Sequence, residues 1–146
     1  MKKGILLLIL LFLVGCSSAS QIRATNRKNI VKLYRGMSRQ SALFVMGNKQ
    51  HYTELDEKKG LFQKKPVKPI YINNPYKTEI LRGKEKDKNG EKEKIFEVLY
   101  YYTEKKRNDG KITDDELTPL VFEEGRLMGW GWSFLETTKK EYHIKK

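Results

Sequence analysis

The spacing of hydrophobic positions changes along this chain, and each change predicts an element. Ile5 to Val14 is an unbroken apolar run, preceded by Lys2 and Lys3 and followed by Gly15-Cys16-Ser17-Ser18. Residues 17–26 are small and polar, and read as a tether that buries too little apolar surface to fold alone. Ile30, Leu33 and Tyr34 then stand at i, i+3 and i+4, which predicts a helix over Arg27–Tyr34 that stops at Gly36. Ser38 is placed to cap a second helix, Arg39–Met46, because its hydroxyl can accept a free backbone N–H. Ala42, Leu43, Val45 and Met46 give that helix its apolar face, and Gly47 suits the left-handed position after it. Between residues 48 and 75 three prolines, Pro66, Pro69 and Pro75, interrupt any ladder. The expectation there is an irregular connection with one extended piece at Ile70–Asn73.

From Tyr76 onward the period is two. Tyr76, Thr78 and Ile80 alternate with Lys77, Glu79 and Leu81, and a charged stretch, 84–93, contains the hairpin-turn pair Asn89-Gly90. Ile95–Thr103 is β-branched and aromatic, with Phe96, Val98, Tyr100 and Tyr102 on one face. A polar turn at Lys105–Glu116 leads to a hairpin, Leu120–Phe122 turning at Glu123-Glu124-Gly125 into a strand over Arg126–Leu135. In that strand Met128, Trp130, Trp132 and Phe134 alternate with Gly129, Gly131 and Ser133, so one face is aromatic and the other nearly bare. The aromatic face either covers the helices as core or, with the Tyr100–Tyr102 strand, forms a recognition surface. Core packing is the weightier account, because aromatic residues dominate small cores. The pattern predicts an α+β fold: two short N-terminal helices packed on a three- to four-stranded antiparallel sheet. It occupies one domain over residues 27–138, and residues 139–146 form a basic tail.

Composition changes the picture at the N-terminus. Cys16 is the single cysteine of the 146 residues, so no internal disulfide can staple the fold. The apolar run is about half the roughly twenty residues needed to cross a bilayer. With two lysines before it and small residues after it, the run fits a signal segment over residues 1–15. Leu13-Val14-Gly15-Cys16 resembles the lipobox at which bacterial lipoproteins are cut and acylated. That resemblance implies a mature chain lipidated at Cys16, with 16–26 as lipidated residue and tether. Ser17, in place of Asp, implies sorting to the outer membrane of a Gram-negative cell, facing the periplasm. The formal charge of +12 then becomes a statement about nearby anions. Anionic lipid headgroups, lipopolysaccharide phosphates or acidic protein surfaces lie within reach of a tethered domain, whereas nucleic acid does not.

Candidate chemistry is sparse. His51 and His143 stand in no catalytic or metal-ligand spacing, and no nucleophile elbow or phosphate-binding glycine loop occurs. Asp109–Glu116 imitates the second half of a calcium loop, with Gly110 at position 6 and Glu116 at position 12. Positions 1 and 3, however, are Lys105 and Arg107, which would repel the ion. The expectation is no catalytic residue, no metal and no cofactor.

Two stretches carry a family resemblance. Leu33-Tyr34-Arg35-Gly36-Met37-Ser38-Arg39-Gln40-Ser41 with Met46-Gly47, and Leu120-Val121-Phe122-Glu123-Glu124-Gly125-Arg126-Leu127, resemble the small outer-membrane lipoproteins of the BamE (SmpA/OmlA) type. The resemblance implies their helix–helix–meander fold and a non-enzymatic role as an interaction or assembly module with an envelope protein partner. The alternative, a periplasmic inhibitor or ligand-binding module, rests on Tyr100, Tyr102, Trp130 and Trp132 as its contact residues.

Overall fold

The computed structural model describes residues 18–53, 70–88 and 90–145. Cys16 and the apolar run lie outside the described residues. The chain forms α1 (Ala19–Ile30), α2 (Arg39–Met46), β1 (Lys49–Thr53), β2 (Ile70–Asn74), β3 (Lys77–Asp87) and β4 (Gly90–Tyr102). A short 3₁₀ turn, Asp114–Glu116, precedes β5 (Leu117–Glu123), β6 (Arg126–Trp130) and α3 (Trp132–Glu141). Strands β3-β4-β5-β6 make one antiparallel sheet in that order, and β1 pairs with β2 in a second. The α+β class and the antiparallel sheet agree with the sequence.

Where a helix or strand has a local signal, the structure follows it. Ser38 Oγ accepts from Ser41 N–H at 3.1 Å, and Gly47, at φ +88°, closes α2 with its N–H on Leu43 O. Helix α1 corrects the tether, and its local signal is a capping box, Ser18-Ala19-Ser20-Gln21. Ser18 caps it with a reciprocal pair: its Oγ accepts from Gln21 N–H at 3.3 Å, while its own N–H donates to Gln21 Oε1 at 2.8 Å. The buried stripe, Ala19, Ile22, Arg23 and Asn26, has helical spacing but only one large apolar residue. Periodicity of hydrophobic residues therefore misses it. Long-range hydrogen bonds hold it in place. Asn26 and Asn74 exchange side-chain amide bonds at 3.0 and 3.1 Å, and Asn26 Nδ2 reaches Tyr102 O at 2.8 Å. The helix expected over Arg27–Tyr34 thus ends at Ile30.

The sheet is covered on both faces. On one face Phe96, Val98, Tyr100, Tyr102, Leu117 and Val121 pack with Leu135 of α3 and with Ala19 and Ile22 of α1. On the other, Leu99, Tyr101, Leu120, Phe122 and Leu127 pack under Ala42 and Met46 of α2 and the Leu33–Met37 connection. Val98 to Tyr102 are consequently buried at every position, as strands sandwiched between two layers are. The outer edge of β6 is closed by the entry to α2. Gly36 N–H donates to Leu127 O at 2.7 Å, and Leu127 N–H returns to Met37 O at 2.8 Å.

Three expected segments differ. The strand expected over Arg126–Leu135 stops at Trp130, because Gly131 (φ +89°) turns the chain into α3. The basic tail begins inside that helix, and Ile144 packs against the core. In the 48–75 connection the extended piece expected at Ile70–Asn73 is β2, with Ile72 fully buried, but its partner β1 replaces irregular chain at Lys49–Thr53; residues 54–69 lie outside the described residues.

Strand β5 pairs with β4 only from Phe96 to Tyr102, while β3 pairs with β4 from Gly90 to Tyr100. The 82–95 half of the β3–β4 hairpin therefore extends beyond the sheet as a two-stranded arm. Its ion pairs run across the strands: Arg82–Glu93 at 3.1 Å and Lys84–Glu91 at 2.8 Å. At its base Lys94 meets Glu123 at 2.6 Å and Glu85 at 3.3 Å, which together hold its ammonium far above the ordinary lysine range.

Candidate functional site

The four aromatic residues nominated by the sequence do not form one surface. Tyr100 and Tyr102 are 2% and 1% exposed and belong to the core on the α3 side. Trp132 opens α3 on that same side, half-buried, with its indole N–H donating to Leu117 O at 2.7 Å and its ring 5.8 Å from that of Tyr100. Trp130, two residues earlier, packs on the opposite face with the α2 cluster. The alternation that would align the two indoles is broken by the turn at Gly131. A helical reading of Trp132, Leu135 and Thr138, at i, i+3 and i+6, was the signal that would have found α3. At Gly129 the bare face is filled as well. A Cβ on Gly129 would stand 2.7 Å from the Phe134 ring, so the missing side chain is what seats that phenyl group.

The polar ends of the buried tyrosines are satisfied internally. Tyr100 Oη donates to Glu79 Oε2 at 2.6 Å beneath the Lys77 ammonium, which lies 4.5 Å above the ring. Burial, then the Glu79 hydrogen bond, pushes the Tyr100 phenol well above its ordinary range. Tyr102 Oη accepts from Arg23 at 2.8 Å. The first contact ties β4 to β3, and the second ties the sheet to α1.

The calcium-like loop is organised by its own glutamate. Glu116 is 1% exposed, and its Oε1 accepts from the backbone N–H groups of Lys106 (2.6 Å) and Arg107 (3.2 Å). Its Oε2 accepts from Thr113 N–H at 3.2 Å. Both oxygens that a cation would need are directed at loop amides, and the described residues contain no cluster of metal-ligating side chains. His51 stands in β1 opposite Ile72, and His143 is exposed just after α3.

Two features of the surface were not read from the sequence. The first is where the folded structure begins. Ser18 is the N-cap of α1 and follows Cys16 by two residues in the sequence. The second is charge segregation. Residues 1–53 contain no aspartate or glutamate, yet α1, α2 and the turn between them carry Arg23, Arg27, Lys28, Lys32, Arg35 and Arg39. Of Arg27, Lys28, Lys32, Arg35 and Arg39, only Arg39 forms an ion pair with a carboxylate among the described residues, a bidentate one to Glu97 at 2.6 and 2.8 Å. Lys32 reaches only Asn29 Oδ1, and Arg27 only Thr103 O. Val31 and Tyr34, 79% and 62% exposed, stand among these cations.

Residues 81–137 match the model of a family described as a protein of unknown function (DUF3192). The match spans β3 from Leu81, the rest of the sheet and the first half of α3, less than half of the chain; α1 and α2 fall outside it. Neither the curated proteins nor the solved structures contain a match.

Proposed function

We propose that this protein is a non-enzymatic, lipid-anchored envelope protein that holds an interaction surface at the membrane. In a Gram-negative cell its address is the outer membrane, facing the periplasm. The observation that carries the reading is the distance of about two residues between Cys16 and the capped start of α1. A lipid at Cys16 fixes the folded domain against the headgroups instead of letting it range on a leash. Several acyl chains make such an anchor durable, so the basic groups are not needed for retention. Their role is orientation: Lys28, Lys32 and Arg35 turn the end of α1 and the connection after it toward anionic headgroups, each worth about 1 kcal/mol near such a surface. The arm then becomes the outward-reaching element. From Tyr102, beside α1, to Gly90 at its tip, β4 spans up to about 40 Å. Its ladder of ion pairs keeps that reach soluble while presenting to an envelope partner the strand edges that the Lys84–Tyr142 bond leaves open.

The likeness to the BamE type supports the same reading through two local features, the Ser38-capped α2 after Gly36 and the β5–β6 hairpin turning at Gly125. The aromatic-surface alternative is the weaker one, since Tyr100 and Tyr102 are buried. Mass spectrometry of the membrane-extracted protein tests the anchor and is expected to find Cys16 acylated. Replacing Cys16 with Ser should abolish that mass and the phenotype rescued by the native gene. Full rescue by the unanchored form would defeat the proposal.

A further inference from the structure

At the β6 edge, on the α3 side of the sheet, a cavity of about 320 Å³ opens between α3 and the chain entering α2. Three segments build it. The Gly36–Leu127–Met37 backbone bonds lay residues 35–38 antiparallel to β6 and bring Arg35 alongside Gly129. The absent side chain of Gly129 lets the Phe134 ring lie down against β6, and the Arg35 guanidinium rests 5.4 Å above that ring. Arg126 also lines the cavity and donates to Gly36 O at 3.3 Å, a contact that leaves most of its fork unused. Phe96, Met128, Phe134 and Tyr142 supply apolar wall, and Glu141 stands on the lining as its acid.

The two arginines are set apart by what they lack. Arg39 and Arg82 face Glu97 and Glu93, whereas among the described residues neither Arg35 nor Arg126 has a carboxylate partner. Two guanidinium forks beside an apolar recess match a carboxylate joined to a flat or short apolar body. From this juxtaposition we propose that the cavity binds a small organic monoanion, an aromatic or short aliphatic carboxylate. The guanidinium groups take its oxygens, and Phe134 and Met128 take its body. The volume sits at the low end of ligand pockets and suits a single ring. Glu141 disfavours a second negative charge, which selects a monoanion over phosphate. This site is independent of the membrane anchor, and none of Tyr100, Tyr102, Trp130 or Trp132 lines it.

The test is saturation-transfer NMR on the full chain in nonionic micelles with benzoate, benzamide and inorganic phosphate. Benzoate is expected to bind saturably, and both benzamide and phosphate at least about tenfold more weakly. Arg35→Gln and Arg126→Gln should each weaken benzoate about tenfold, the size of one lost charge-assisted hydrogen bond. Both positions are exposed, and unchanged circular dichroism would show that the variants fold. Equal binding of benzamide would remove the role of the arginines, and equal binding of phosphate would remove that of the apolar wall. Retention of benzoate by the double Gln variant, or no saturable binding to the native chain, would overturn the site.

Discussion

Replacing Glu116 with glutamine tests whether the 103–116 loop is held by its own carboxylate. The substitution keeps side-chain volume, and one oxygen remains to accept from Lys106 and Arg107 N–H. The new amide nitrogen then faces Thr113 N–H where Oε2 had accepted at 3.2 Å, so two donors meet. Charge-assisted bonds of this kind contribute about 1.5–3 kcal/mol, and an orphaned buried N–H costs about 1–3 kcal/mol. Part of that cost is recovered because the exposed loop can open to water. The expected loss is about 2–3 kcal/mol, or roughly 6–12 °C in Tm for a domain of this size. Glu116→Ala, which orphans three N–H groups, should lose more. Thermal unfolding followed by circular dichroism, with and without millimolar calcium, reads both claims. A Tm for Glu116→Gln within 1 °C of the native chain, or stabilisation of the native chain by calcium, would refute the reasoning.

Three further outcomes follow from the packing and the charges. Gly83→Ala puts a Cβ 2.7 Å from Tyr142 Cβ and 2.8 Å from Tyr142 O, against a segment otherwise held by Lys84 N–H on that carbonyl. It should free residues 142–145 to proteolysis while the sheet amides stay protected from exchange. Gly129→Ala should lower stability by about 1–3 kcal/mol through displacement of the Phe134 ring, measured by denaturant unfolding, and Phe134→Ala in the same chain should make the added methyl harmless. Stability should also fall at both pH extremes. The Lys84 hydrogen bond holds Glu91 below its ordinary 4.5, so that contribution is present above 4.5 and lost as pH drops through the folded value. Burial raises the Tyr101 phenol above its ordinary 10.0, so the unfolded chain ionises first and stability falls as pH rises past 10. NMR titration of Lys84→Ala should return Glu91 toward its ordinary value, and Tyr101→Phe should flatten the alkaline limb.

Local grammar made about half of this molecule legible. Ser38 and Gly47 bracket α2, and the β4 alternation assigns Phe96, Val98, Tyr100 and Tyr102 to one face. The Glu124-Gly125 turn joins β5 to β6. Each of those signals is complete within a few residues, because caps, turns and pleats are short-range geometry. The candidate site was partly legible: core packing was the weightier account of the aromatic residues and holds for Tyr100 and Tyr102, but the division of Trp130 and Trp132 between two faces was not visible. The lone thiol behind an apolar run is likewise readable by position alone, and the anchor it implies is a proposal drawn from the sequence.

What only the tertiary structure decided depends on partners far along the chain. Asn26 belongs to a helix because Asn74 and Tyr102 O are there to pair with it, and a polar stripe gives no hydrophobic period to announce that. Trp130 and Trp132 separate to opposite faces because Gly131 ends a strand that a period of two would have continued. Tyr100 and Tyr102 pass from candidate contacts to core because α1 and α3 cover their face. The arginines at positions 35 and 126, ninety-one residues apart, meet at one cavity only after residues 35–38 line the edge of β6. Sequence determined the kinds of element and their turns; long-range hydrogen bonding and the covering of both sheet faces determined which side chains remain available for function.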